Sequence, residues 1–250
     1  MRAFAEFRSL REGFARQVDH WISRSPWLGE LQDELRVELG YGDYRIETPI
    51  VYNRALDDID EMAEPAFVLV ADNPGKNEQL SKNRRYLVGQ SGKLAEGWFR
   101  RELGVDFRKS VVLVNKTPIH TPKTAELRKL LALAGRKSPE LRSKLAVLLD
   151  ESQRWMAGLA LDLQAALGVP LWVSGYGELR PHGLFAPWAA ALSEEYLRAP
   201  GELRDGVLLF RHFSMNQFAV EIKQKRDPAE RLSDELERIG SANRKRILGW

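Results

Sequence analysis

Four clusters of polar residues each follow a short apolar run: Ala71-Asp72-Asn73-Pro74-Gly75, Asn115-Lys116-Thr117-Pro118, Gly175-Tyr176-Gly177-Glu178 and His212-Phe213-Ser214-Met215-Asn216. Their side chains are of the kinds that hold a water, read a hydrogen-bonding edge and stabilise a departing anion. Asp72 offers a carboxylate, Asn73 and Asn115 each offer one acceptor and two donors, and His212 is a donor when neutral. A lone Asn or His after a strand is commonly a turn former. Four such clusters at one sheet edge form a candidate site, because an open parallel sheet takes its ligands outside the carboxyl ends of its strands.

The runs that position these clusters are AFVLV (66–70), SVVLV (110–114), PLWVS (170–174) and GVLLF (206–210). Short, unbroken and apolar, they predict strands buried on both faces. Helical stretches lie between them. One spans 91–103 and stops at Gly104; a second spans 138–167, with Ser138 as N-cap, Pro139 in the first turn and Gly168 as stop; a third spans 186–197. Strand, helix, strand, repeated, predicts an α/β three-layer sandwich with a central, mostly parallel four-stranded sheet flanked by helices. Phe4, Phe7, Leu10, Phe14, Val18 and Trp21 recur at helical spacing and add an N-terminal helical extension. We expect a single domain, with the extension over 1–65, the core over 66–220, and a C-terminal helix and basic tail over 221–250. The acidic residues Asp57, Asp58, Asp60 and Glu61 are expected to cap or solvate the entry to the first strand. Arg244, Lys245 and Arg246 either touch phosphate or fray in solvent.

Composition excludes several chemistries. The 250 residues include no cysteine, which rules out disulfides, thiolate zinc sites, cysteine nucleophiles and iron–sulfur clusters. His20, His120, His182 and His212 show no metal-ligand spacing, so neither metal nor cofactor is expected. No run approaches the roughly 18 apolar residues of a membrane span, and the expectation is a cytoplasmic monomer. The net charge of +3 is small, but residues 73–93, 115–123 and 211–226 carry +4, +2 and +3, all beside the candidate site. That distribution suits a polyanionic partner better than the net charge does. Gly89-Gln90-Ser91-Gly92-Lys93-Leu94 has leucine at both 87 and 94, where a phosphate-binding P-loop needs Gly and Ser or Thr. Gly175-Tyr176-Gly177 lacks the third glycine of a dinucleotide fingerprint.

Over residues 66–220 the chain resembles the uracil-DNA glycosylase superfamily. Asn73-Pro74-Gly75 is similar to the NPG of the mismatch-specific and single-strand-selective branches. Arg85-Tyr86-Leu87-Val88-Gly89-Gln90-Ser91-Gly92 is similar to the R-P-F-V-G-x-x-G of the iron–sulfur branch. Asn115 matches the family's base-reading Asn after an apolar strand, and His212-Phe213-Ser214 resembles its His-Pro-Ser. Order and placement after consecutive strands carry this likeness, since each motif alone is common. The chain departs from the pattern in three ways: Phe213 replaces a proline, Leu87 replaces a stacking Phe, and the cluster cysteines are absent. Gly75 stands where strict uracil enzymes carry a bulky residue against the thymine methyl, implying weaker exclusion of thymine.

The resemblance implies DNA carrying uracil or another damaged base as partner, and it implies a division of labour. Extruding a nucleotide costs about a few kcal/mol, after which the base edge must be recognised. Asn115 complements N3–H and O4 of uracil. Cleavage of the glycosidic bond leaves negative charge on the base, and a neutral His212 donating to O2 stabilises it, an interaction of a kind typically worth ~2.7–4 kcal/mol. Asp72 or Asn73 holds the attacking water, and Tyr86 or Leu87 lies against the base face beside Gly75. Ser214, Lys76, Lys82, Arg84, Arg85 and Lys116 grip phosphates, with Met215 or Phe218 wedged into the gap. The expected activity is monofunctional base excision by water. Two other functions fit the same residues: a DNA-binding module with altered chemistry, and a hydrolase or transferase acting on free nucleosides or nucleotides.

Overall fold

A computed structural model describes residues 2–250 of the chain. In chain order the elements are α1 (Arg2–Arg24), α2 (Leu28–Glu38), β1 (Phe67–Ala71), α3 (Gln90–Trp98), α4 (Phe107–Ser110), β2 (Val111–Asn115) and α5 (Glu126–Lys137). They continue as α6 (Pro139–Leu167), β3 (Leu171–Ser174), α7 (Ala186–Arg198), α8 (Gly201–Asp205), β4 (Val207–Phe210), α9 (Gln217–Lys225) and α10 (Leu232–Leu248). Among the described residues the four strands form one sheet in the order β2-β1-β3-β4, and every pairing is parallel. The architecture is therefore the three-layer α/β sandwich, with each strand one residue later than its apolar run begins. No helix among the described residues is long and apolar enough to cross a membrane.

Alternation along the strands divides the core in two. Val68, Val70, Val112, Val114, Leu171, Val173, Val207 and Leu209 face a cluster built by α1, α2, α5, α6 and α7. Leu69, Leu113, Trp172, Leu208 and Phe210 face the other, built by α3 with Phe99 in the helical turn that follows it, by Phe107 of α4, by α9 and α10, and by the loops that carry Tyr86 and Phe213. The N-terminal helix belongs to the first cluster: Phe14 and Trp21 of α1 set their rings 5.6 and 5.7 Å from Trp155 of α6. It is integral to the core.

Local signals explain the helix limits. The hydroxyl of Ser138 accepts the Leu141 N–H at 3.0 Å, Pro139 opens α6, and Gly168 closes it. Among the C-terminal basic residues Lys245 and Arg246 are exposed, whereas Arg244 matches neither expectation for the tail. Arg244 is buried and its guanidinium donates to the carbonyls of Val207 and Trp250, tying α10 to β4 and to the chain end.

The approach of α10 to the sheet requires Gly240, since a Cβ there would lie 2.6 Å from Leu208 Cβ. Gly158, on α6, has nothing within 4 Å of the same position. Helix propensity favours Ala over Gly by about 1 kcal/mol, whereas overpacking costs about 1–3 kcal/mol. Urea unfolding should therefore show Gly158→Ala stabilising and Gly240→Ala destabilising; equal shifts in one direction would contradict this packing.

Candidate functional site

The chain runs from β1 outward to β2, then returns across β1 to β3 and β4, so the carboxyl ends of β1 and β3 flank a point where strand order reverses. A cavity of about 740 Å³ opens at that edge. Its walls include Asp72, Asn73 and Gly75 after β1, Asn115 at the end of β2, Glu178 after β3, and His212, Ser214 and Met215 after β4. All four polar clusters of the sequence thus reach one space. Lys76 and Leu87 also line it.

Asn115 is 1% exposed, and neither its amide nitrogen nor its amide oxygen has a hydrogen-bond partner among the described residues. A buried amide left unpaired costs about 1–3 kcal/mol, so its retention at a cavity wall makes Asn115 a candidate for reading a ligand. Asn73 is oriented by its own network: Nδ2 donates to the Ile119 carbonyl at 3.1 Å and to Thr121 Oγ1 at 2.9 Å. Its Oδ1 is left as an acceptor with no partner among the described residues.

Asp72 is differently employed. Its Oδ1 lies 2.5 Å from Lys116 Nζ, and Thr124 Oγ1 donates to its Oδ2 at 3.4 Å. Lys116 is fully buried, also donates to the Ser174 carbonyl, and places its ammonium 5.1 Å from the centre of the Phe185 ring. Burial pushes the Lys116 ammonium below its ordinary pKa while Asp72 opposes the shift. Lys116 is therefore no phosphate contact. It is an internal counter-ion that holds the ends of β1, β2 and β3 together.

His212 accepts the Ser214 N–H at Nδ1, 3.0 Å away, so the neutral ring carries its proton on Nε2. Burial lowers its pKa, with Lys116 adding to the shift and Asp72 opposing it, which keeps the ring neutral at pH 7. The residue in place of the motif's proline, Phe213, has φ −69°, the dihedral a proline would impose. Its buried ring packs 4.7 Å from Phe218 and 6.2 Å from Phe99. Core anchorage thus replaces ring closure in fixing the turn. Met215 and Asn216 follow with left-handed φ of 51° and 57°, and Met215 is 80% exposed at the cavity rim.

Other assignments are corrected. Tyr86 is fully buried and its hydroxyl donates to the Val51 carbonyl, so Leu87, not Tyr86, is the one of the pair that lines the cavity. Phe218 is core rather than wedge. Leu87 has a left-handed φ of 51°, and its carbonyl oxygen would lie 1.4 Å from a Cβ at position 92, which explains the second glycine of the Gly89-Gln90-Ser91-Gly92 stretch. Lys82, Arg84 and Arg85 lie on the loop entering Tyr86 and do not line the cavity; Arg85 pairs with Asp58. Lys76 pairs with Asp43.

Several cavity residues carry no role assigned from sequence: Thr121 and Thr124 sit six or more residues past β2, beyond the polar cluster at its end, Lys123 counts there only toward a basic stretch, and Glu78 is one acid among bases. His120, fully buried beneath the same loop, bonds through Nδ1 to the Pro74 carbonyl at 2.9 Å, and burial lowers its pKa to about 4. Among the described residues no group of three or more His, Asp or Glu side chains is arranged to hold a metal ion.

No family model matches the chain, and no curated protein is found to match it.

Removing one partner of a buried ion pair typically costs about 3–5 kcal/mol. Denaturant unfolding at pH 7 should show Lys116→Met losing about 3 kcal/mol or more, with Lys116→Met/Asp72→Asn recovering most of it. A near-neutral Lys116→Met would contradict the counter-ion role.

Proposed function

We propose that the protein is a DNA glycosylase that hydrolyses the N-glycosidic bond of uracil or a related deaminated base. The observation that carries this reading is the buried, unpaired Asn115 amide in a cavity shared with His212 and Asn73. An amide with one free acceptor and free donors complements a donor–acceptor base edge, and a ligand in the cavity would offset the cost of leaving it dry. The cavity volume lies within the ~300–1,000 Å³ typical of small-ligand sites and accommodates an extruded nucleobase.

The roles follow from the hydrogen bonds. A neutral His212 with its proton on Nε2 is a donor for the anion that develops on the departing base. Asn73 presents Oδ1 as an acceptor for a water, whereas Asp72 already spends its carboxylate on Lys116 and Thr124. We therefore assign the water to Asn73 and give Asp72 a positioning part through Lys116, with its negative charge at the cavity wall available to oppose cationic character on the sugar. Leu87 supplies an apolar contact for the base, and Met215 stands at the rim where an extruded nucleotide leaves a gap. Lys76, Lys123 and Ser214 at the cavity wall suit phosphate, with Lys82, Arg84 and Arg85 on an outlying loop. Strand cleavage by an amine nucleophile is not proposed: the Lys116 amine is buried away from the cavity, and the two lysines that line it are engaged elsewhere, Lys76 with the Asp43 carboxylate and Lys123 against the Tyr41 ring.

The test is incubation with oligonucleotides bearing uracil, hypoxanthine or a U:G mismatch, followed by alkali and a search for strand breaks. Asn115→Ala should abolish base release while leaving DNA affinity within about threefold, because phosphate contacts supply most of the affinity. Binding without breaks on any substrate would select the binding-module function instead, and parallel loss of affinity and release in Asn115→Ala would remove Asn115 from base reading.

A further inference from the structure

Glu78 lines the cavity, is 8% exposed, and has no part in the chemistry described so far. Its Oε2 accepts the Gly75 N–H at 3.0 Å, and the backbone N–H groups of Leu87 and Val88 also face the carboxylate. The other side of the Leu87 peptide is held as well: Arg108 of α4 donates to the carbonyls of Tyr86 and Leu87 at 3.1 and 2.7 Å. Leu87 needs such restraint, since a left-handed non-glycine residue costs about 1–3 kcal/mol and persists only where its surroundings over-determine it. Glu78 thus joins two loops that are far apart in the chain and adjacent at the cavity, one carrying Asn73 and Gly75, the other Leu87.

We propose that Glu78 is a positioning residue whose carboxylate clamps the Asn73–Gly75 loop to the Leu87–Val88 loop and so sets the distance between the water-holding and base-contacting walls of the cavity. The assignment of those walls rests on the glycosylase reading. The clamp itself does not.

A carboxylate accepting several N–H groups works in its charged form, since protonation removes acceptor capacity and adds a donor. Burial pushes the Glu78 carboxyl up to about 7, against the pull of the three N–H groups and of Arg108. The other titratable groups around it are the buried Tyr86 phenol, the buried His120 beneath Pro74 and, on the walls of the same cavity, Lys76, Lys123, Asp72, Glu178 and His212. The two histidines have an ordinary pKa near neutrality, and burial moves both downward, away from the range of Glu78. Stability and activity then respond to pH in opposite directions. Because the folded-state pKa of Glu78 is raised, its contribution to stability is full below the unfolded value of about 4.5 and is lost as the pH rises through about 7. The clamp engages over the upper part of that same range.

Glu78→Gln keeps the shape and removes the charge. At pH 8 this variant should melt at a higher temperature than the wild type. Its single-turnover rate of base release at pH 8 should be at least tenfold lower, with the acid limb near pH 7 gone and DNA affinity within about threefold. A purely structural role would lower melting temperature and rate together, which overturns the proposal, as does a variant with wild-type rate and limb. A second measurement needs no activity: in a pH titration by NMR, the Gly75 and Leu87 amide protons should move with a midpoint near 7 in the wild type and stay flat in Glu78→Gln. Flat amides in the wild type sink the clamp even if base release is found. Moving amides with no base release from any oligonucleotide uphold the clamp and remove only the glycosylase reading.

Discussion

A lysine ammonium buried beneath the carboxyl edge of a parallel sheet must be neutralised, and much of this site follows from how Lys116 is accommodated. Its three donors are shared among the Asp72 carboxylate, the Ser174 carbonyl and the face of Phe185, which come from β1, β3 and the segment before α7. Asp72 is thereby committed inward. The next residue, Asn73, is left to face the cavity with its orientation set by Ile119 and Thr121. The same charge acts on His212, where Lys116 and burial together favour the neutral ring and Asp72 resists them. In the proposed mechanism one ion pair thus separates two adjacent polar residues into a structural and a water-holding role, while burial and Lys116 favour the neutral imidazole that donation needs.

Against that rigid base stand groups left deliberately incomplete by stability criteria. The Asn115 amide and the Asn73 oxygen are shielded and lack partners among the described residues, and the Glu78 carboxyl, though bonded, is buried far enough for its pKa to rise to about 7. Left-handed residues at Leu87, Met215 and Asn216 occur around the same cavity. Strain and unmet hydrogen bonding gathered at one sheet edge are what a ligand-binding surface costs, and the aromatic core of Trp98, Phe99, Trp172, Phe210, Phe213 and Phe218 lies directly behind to support it.

The sheet was legible because its strands are buried on both faces and read as unbroken apolar runs, and α6 was legible because Ser138, Pro139 and Gly168 mark its ends. Placement of polar clusters after the strands was legible for the same reason: a parallel topology leaves them one edge to occupy. Individual roles were less so. A lysine directly after a strand reads as a surface cation, and nothing local announces that Lys116 turns inward to meet an acid 44 residues earlier. Tyr86 and Leu87 could not be distinguished by type, because a left-handed backbone at Leu87, held by Arg108, decides which of them meets the cavity. Arg244 looked like part of a basic tail, yet it satisfies carbonyls at the end of the fold. In each case a contact distant in sequence overrode the local pattern.

The central claim is that the Asn115 amide is held open for a base edge. It is tested most directly by following the Asn115 side-chain NH₂ resonances while adding an oligonucleotide that carries one 2′-fluorinated deoxyuridine, whose glycosidic bond resists cleavage. The account predicts a downfield shift and slowed solvent exchange of one Asn115 Nδ2 proton with this oligonucleotide and none with the same sequence carrying only the four normal bases. Resonances that respond equally to both, or to neither while the DNA is bound, would contradict it.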